Sequence, residues 1–319
     1  MPSCQNILVT GGAGYIGSVL IPMLLKLDKH VTLLDTFQTT SEERFVSLSN
    51  SCLTGSLKII KGDVQDDETV RESLKDTEGV IYLAGISDGR AGRLNPKLTE
   101  EVNFNAFQNF IEQAKMSGCR RFVFASTFGV YGSSYVEPLT ENLVPDPQEP
   151  YSSSKLRAEQ ILLNIPNAQL ITVSLRLAMV YGYSPNMRLD FIVNRLIDDA
   201  FSKEEIKILG GTQVRPQIHI RDAARYLVSL LHLPAANIAG QVFNACGFNK
   251  SLLEIAGEIK DFVGNSVSIN CLPGRTNETS FLLNQDKLTQ ATGLVPEINL
   301  TQAMEEIQAH LITQSVEDH

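Results

Sequence analysis

Short runs of apolar, β-branched residues recur through the first half of the chain, at residues 7–9, 31–34, 57–60, 80–83, 122–124 and 170–175. They are apolar at consecutive positions, the pattern of strands buried on both faces of a parallel sheet. Helix-period segments lie between them. In the clearest, Leu98, Val102, Ala106, Phe110 and Ala114 recur every fourth residue with Phe107 and Ile111 beside them, which predicts one helix with one buried stripe. Strands and helices alternating in this way predict βαβ crossovers and an α/β fold, a Rossmann-type doubly wound parallel sheet. Pro22 falls inside the first helical pattern and is expected to kink it or end it early.

Beyond residue 178 the rhythm changes. Strand signals become short, at 206–209, 217–220, 242–245 and 267–270, and loops rich in Gly, Pro and Asn part them. Helical patterns persist at 189–200, 222–233, 252–263 and 301–312. The expectation is a Rossmann domain over residues 1–178 and a smaller mixed α/β domain over 179–319. With no low-complexity linker between them, the two are expected to interlock as one body.

Composition narrows the class. At 319 residues, 43 % hydrophobic and 20 % charged, the chain can bury a full core without disulfide or metal staples. A net charge of −9 disfavours binding to nucleic-acid backbones, though it leaves room for a local pocket for one small anion. No apolar run nears the ~20 residues that span a bilayer, and the opening MPSCQNILVT does not read as a signal peptide. Cys4, Cys52, Cys119, Cys246 and Cys271 are odd in number and contain no C-x-x-C pair, so they read as reduced thiols of a cytoplasmic protein. The histidines form no metal-ligand motif, and no metal is expected.

Directly after the first strand comes Thr10-Gly11-Gly12-Ala13-Gly14-Tyr15-Ile16-Gly17, followed by a helical pattern. Gly11 permits the tight turn, Gly14 lets a pyrophosphate approach the backbone, and Gly17 lets helix and strand pack closely. The helix N-terminus offers free N–H groups to phosphates. Asp35 closes the second strand, where an acid bonds the adenosine ribose hydroxyls and repels a 2′-phosphate. No Arg or Lys follows within residues 36–41, which favours NAD over NADP. Asp63, after the third strand, is expected near the adenine.

Tyr151-Ser152-Ser153-Ser154-Lys155 sets a phenol and an ammonium four residues apart on one helix face, with Pro150 suited to the helix start. A free tyrosine titrates near ~10, and a lysine cation with an oxidised nicotinamide nearby would favour its phenolate. The fifth strand ends at Ser126-Thr127, and ligands of such sheets bind beyond strand carboxyl ends. Register favours Thr127 over Ser126 as the hydroxyl beside Tyr151.

These pieces, in order, are TGGAGYIG at 10–17, GDV at 62–64, LAG at 83–85, Asn103 ahead of the amphipathic helix, FVFAST at 122–127, YSSSK at 151–155, LRLAMVYG at 175–182 and VRPQIHIRD at 214–222. The chain thereby resembles the extended short-chain dehydrogenases/reductases of the NAD-dependent epimerase/dehydratase family. The resemblance implies a nucleotide-sugar substrate held by the second domain, NAD as cofactor and Thr127, Tyr151 and Lys155 as catalytic residues. It assigns cofactor contacts to Gly11, Gly14, Tyr15, Ile16, Gly17, Asp35, Asp63, Val64, Leu83, Ala84, Gly85 and Asn103, together with Tyr151 and Lys155. Substrate contacts fall to Ser126, Thr127, Tyr151, Met179 and Arg215, the last on the substrate diphosphate. It further implies a homodimer through helices near 96–117 and 150–164, with Phe104 and the Phe107/Phe110/Ile111 cluster as a bundle face, although packing within the chain explains most of that cluster.

Three departures stand out. Met179 occupies a position where the family often has asparagine. The stretch from Gly85 to Arg90 is unusually polar, with Arg90 and Arg93 read as solvated loop arginines. Residues 274–279 replace an arginine-richer pattern. Among activities, 4-epimerisation is preferred. Phe128-Gly129 cannot supply the general acid of a 4,6-dehydratase. A 4-ketoreductase uses the same Thr/Tyr/Lys set and stands second, and a non-catalytic NAD-binding protein stands third.

Overall fold

The first-half apolar runs form six strands: β1 (Asn6–Thr10), β2 (His30–Asp35), β3 (Ser56–Lys61), β4 (Gly79–Tyr82), β5 (Arg121–Thr127) and β6 (Ile171–Leu177). The second half adds β7 (Met179–Tyr181), β8 (Glu205–Leu209), β9 (Val214–His219), β10 (Gln241–Ala245), β11 (Phe248–Ser251) and β12 (Ser268–Leu272). The computed structural model describes residues 4–49, 54–87, 89–133, 138–274 and 279–317. Cys52, Asp88 and residues 275–278 of the tail lie outside them, and the Arg90 side chain is likewise outside the described part.

Seven strands make one wholly parallel sheet in the order β10-β6-β5-β4-β1-β2-β3. The order reverses between β1 and β4, so a crevice opens beyond their carboxyl ends. Over one face lie α1 (Gly17–Lys26) and α2 (Glu42–Ser49). The other carries α3 (Asp67–Ser73), α4 (Gly89–Leu94), α5 (Pro96–Glu100), α6 (Ala106–Met116) and α7 (Pro150–Leu163). The remaining helices are α8 (Ile192–Lys203), α9 (Ile220–Leu230), α10 (Ala235–Ile238), α11 (Leu252–Val263), α12 (Asp286–Thr292) and α13 (Leu300–Glu317). From beyond residue 178, β10 supplies the edge strand of the main sheet. From the same half, α9 packs on α1, with Leu20, Leu24, Ala223 and Leu227 all fully buried in one cluster.

The rest of the second half builds a three-stranded sheet β11-β9-β7 and a β12-β8 pair, with its own core between α8, α11 and α13. Ser251 opens α11 with a capping box, its hydroxyl taking the Glu254 N–H while the Glu254 carboxylate takes the Ser251 N–H. Among the described residues no helix is long and apolar enough to cross a membrane.

Two expectations are corrected here. Pro22 does not end its helix, since α1 runs four residues past it to Lys26. The helix expected through Leu98 to Ala114 is broken by a π-helical turn at Glu101–Asn105 between α5 and α6. Its extra residue rotates the preceding turn off the stripe, which leaves Leu98 41 % exposed while Ala106 to Ala114 keep the core. Phe107, Phe110 and Ile111 pack within the chain, as expected for most of that cluster. They are 0 % exposed, and Phe107 and Phe110 pack edge-on to Tyr82 at 5.2 and 5.1 Å between ring centroids. Full burial of each is worth about 1.5–3 kcal/mol.

Candidate active site

The crevice at the sheet's reversal opens into a cavity of about 1050 Å³, lined from β1 through β9. Its floor is the glycine loop. Gly11 has φ +66°, and its N–H donates to the Leu34 carbonyl at 2.8 Å. A Cβ on it would stand 2.8 Å from the Ala84 nitrogen. A Cβ on Gly17 would stand 2.3 Å from the Gly12 carbonyl oxygen, so helix and loop approach in a way only glycine allows. Tyr15 and Ile16 line the cavity too, but the Tyr15 hydroxyl turns away to donate to the Gly182 carbonyl at 2.6 Å and to accept from Asn194 at 2.9 Å. Burial holds that phenol far above its ordinary range.

Asp35 sits on the rim, its two oxygens accepting from the Ala13 N–H at 3.0 Å and the Phe37 N–H at 2.8 Å. Burial raises its carboxyl above the ordinary value, and these two bonds act against that rise. Asp63 and Val64 follow along the same wall, with Asp63 held by the Gln65 N–H at 2.9 Å. Leu83, Ala84 and Gly85 carry the wall on from β4. Asn103 differs from expectation. It is buried, and its amide is spent on the backbone of Ile86 rather than on the cavity lining.

Across the cavity, Ser126, Thr127, Tyr151 and Lys155 come together. The Thr127 hydroxyl accepts from the Gly129 N–H at 3.1 Å, which fixes its rotamer at the strand end. The Ser126 hydroxyl is buried with no hydrogen-bond partner among the described residues. Lys155 is 5 % exposed, donates to the Ala125 carbonyl at 2.9 Å and lies 4.6 Å from the Phe124 ring centre and 6.0 Å from that of Tyr151. Burial lowers its pKa to about 8, while the Glu159 carboxylate one turn away pulls it back up. Glu159 is itself 0 % exposed and paired with Arg176 at 2.7 Å.

The second half closes the cavity from above. Met179 lines it, but Arg215 does not. Its guanidinium donates to the carbonyls of Val214 at 3.0 Å and Thr279 at 2.6 Å and stands over the Phe281 ring, which turns it toward the 279–281 segment. Among the described residues, the arginines that line the cavity are Arg93, Arg188 and Arg195. Arg93 lies in α4 rather than in a loop, pairs with Glu149 at 2.7 Å and keeps its side chain 58 % exposed, so it is solvated as expected. Arg188 is held by Asp190 at 2.6 and 2.5 Å and by the Ser87 hydroxyl at 3.1 Å. Asn186 bridges the Ala13 carbonyl at 3.0 Å and the Thr39 hydroxyl at 2.8 Å, tying the β7–α8 segment across the glycine loop. Sequence reasoning passed over Asn186, Arg188, Arg195 and Gln217. Of these, only Gln217 falls inside a motif quoted from the sequence, VRPQIHIRD at 214–222.

The glycine cradle, the N-terminal end of α1 and the carboxylate of Asp35 fit an adenine dinucleotide. The model of the NAD-dependent epimerase/dehydratase family matches residues 7–246.

The chain belongs to this family. Its cofactor is NAD, as the family's dependence requires. The chain is 28 % identical over 313 residues to a UDP-glucose 4-epimerase of Corynebacterium glutamicum, covering 92 % of this chain and 91 % of that one. It is 29 % identical over 297 residues to a UDP-glucose 4-epimerase of Erwinia amylovora, covering 86 % and 88 %. The structure of a UDP-glucuronic acid 4-epimerase from Bacillus cereus, in complex with UDP-glucuronic acid and NAD, superposes with a TM-score of 0.84 at 27 % identity, covering 97 % and 99 %. Tyr151 and Lys155, on α7 between β5 and β6, and Asp35, at the end of β2, line the same cavity.

Proposed function

We propose that the chain is a UDP-sugar 4-epimerase that works through a transient 4-keto sugar. The observation that carries the reading is the grouping of Tyr151, Thr127 and the buried Lys155 ammonium in one cavity with the glycine loop. The 4-epimerase names of the relatives support it. Bound NAD supplies the acceptor and donor of hydride. Tyr151, as phenolate, takes the proton of the sugar C4 hydroxyl, and as phenol returns it. Lys155 holds the phenolate by its charge, and Thr127 positions the reacting oxygen, with Ser126 beside it.

Gly11, Gly14, Tyr15, Ile16 and Gly17 would hold the dinucleotide pyrophosphate, Asp35 the ribose, Asp63 and Val64 the adenine, and Leu83 to Gly85 the nicotinamide half. Arg188 and Arg195 would take the substrate diphosphate instead of Arg215, with Met179 as an apolar contact. Residues 1–178 then form the cofactor domain and 179–319 the substrate domain, with β10 and α9 crossing over. We further infer a cytoplasmic homodimer. Its interface would use the outward side of the 96–117 and 150–164 helices, where the Arg157 guanidinium stacks 3.5 Å from the Phe104 ring centre.

Epimerisation is favoured over 4-ketoreduction by the Asn186 bridge, which straps the cofactor side of the cavity. A cofactor regenerated in each cycle needs no exit. The test is to incubate purified protein, without added cofactor, with a panel of UDP-, GDP-, dTDP- and CDP-sugars and follow C4 configuration by NMR. Interconversion of a UDP-sugar pair is expected, and Tyr151→Phe should lose at least about 10²-fold in rate. NADH consumption with a 4-keto sugar and no epimerisation would make it a reductase.

A further inference from the structure

Three residues of β7 and β9 line the cavity, Met179, Val180 and Gln217, and only Gln217 has a polar side chain. Met179 and Gln217 stand opposite each other in the parallel β7–β9 register. Gln217 is 1 % exposed, yet its side-chain amide is almost unused. Nε2 donates only to the Met179 Sδ at 3.7 Å, a weak acceptor, and Oε1 has no partner among the described residues. Its main-chain carbonyl is engaged, accepting from the Gly247 N–H at 2.6 Å. A buried amide in this condition opposes folding, and an apolar side chain of the same length would relieve it. The usual reason for such a group at a cavity wall is a ligand that completes it.

Position narrows the ligand. Thr127 pairs with Leu177 in the β5–β6 register, and Met179 follows two residues later, so the Met179–Gln217 pair adjoins the redox end of the cavity and not the Asp35 end. Chemistry narrows it further. A phosphate oxygen offers only acceptors and would leave Oε1 unpaired, whereas a hydroxyl both donates and accepts. The terminal amide torsion is broad, so turning it toward a hydroxyl costs little beyond the thioether contact.

We propose that Gln217 is a specificity-determining residue whose amide pairs with a ring hydroxyl of the sugar. The proposal rests on the nucleotide-sugar reading above. The experiment takes the UDP-sugar that the wild type epimerises fastest, with its analogues each lacking one non-reacting hydroxyl, and compares wild type with Gln217→Met. The wild type should discriminate against one analogue by about tenfold or more in kcat/KM, and the variant should lose that discrimination while keeping those against the others. Its Tm should match or exceed that of the wild type. Unchanged discrimination in the variant, or a clearly lower Tm, overturns the proposal. Gln217→Leu repeats the test if the methionine variant does not fold, and failure of both to fold also overturns it, because the fold itself then needs the amide. Absence of any nucleotide-sugar turnover by the wild type would instead sink the parent reading.

Discussion

The side-chain amide of Asn103 grips the backbone of Ile86 from both ends, its Oδ1 accepting from the N–H at 2.7 Å and its Nδ2 donating to the carbonyl at 2.9 Å. The grip joins the π-helical turn to the loop after β4, and Gly85, at φ +145°, leaves space that a Cβ would close to 2.7 Å from the Asn103 Oδ1. Asn103→Ala leaves two backbone groups of a half-buried segment unpaired. It should destabilise the fold by roughly 1–3 kcal/mol and weaken NAD binding, measured by urea unfolding and by cofactor titration. Unchanged values for both would mean that water replaces the amide at no cost.

Lys155 gives a pH signature. Burial takes its pKa from 10.5 down to about 8. Between those values the unfolded chain holds a proton that the folded chain has lost, so this group's contribution makes stability rise with pH across that window. The slope approaches about 1.4 kcal/mol per pH unit at most. Lys155→Met should remove it, checked by denaturant unfolding of both proteins at roughly pH 7, 8.5 and 10. Parallel pH dependences in the two proteins would refute the assignment.

Glu159 and Arg176 form a buried pair, 0 % and 5 % exposed at the side chain and 2.7 Å apart, with Arg176 also over the Tyr131 ring at 4.8 Å. Glu159→Gln leaves a buried guanidinium without its counter-ion, which should cost about 3–5 kcal/mol. It also removes the charge that sustains the Lys155 ammonium, so the alkaline limb of kcat should move to lower pH. A stable variant with an unmoved limb would show that solvent reaches the pair.

Asp35 should set the choice between cofactors. Both oxygens are anchored to the N–H groups of Ala13 and Phe37, and on the proposed ribose contact the carboxylate would repel a 2′-phosphate. Asp35→Ser removes that repulsion and one ribose contact. NAD should bind about tenfold more weakly, roughly the worth of a charge-assisted hydrogen bond, and the NAD-to-NADP preference should shrink further. Isothermal titration with both cofactors reads this directly, and an unchanged ratio would place the selectivity elsewhere.

Much of this architecture was legible because it is local. Short, β-branched-rich runs such as residues 31–34 and 122–124 suit buried parallel strands, and the Gly11, Gly14 and Gly17 spacing gains its meaning between strand and helix. Where a local pattern competed with a distant partner, it misled. The four-residue ladder through Leu98 ignored the demand of Ile86 for the Asn103 amide. For Phe107 and Phe110 the helix period already favoured burial, and Tyr82 and Phe122 are the distant rings that fill in behind them.

The linear order of residues thus determined the first six strands, the glycine turn and the Tyr151–Lys155 spacing, because each depends on groups within a few residues of one another. Tertiary structure alone decided which arginines line the cavity, why Arg215 is turned toward Thr279 and Phe281, and that Gln217 meets Met179 across two strands. Those facts depend on the packing of segments far apart in the chain, and no periodicity along a single segment encodes where a distant one will come to rest.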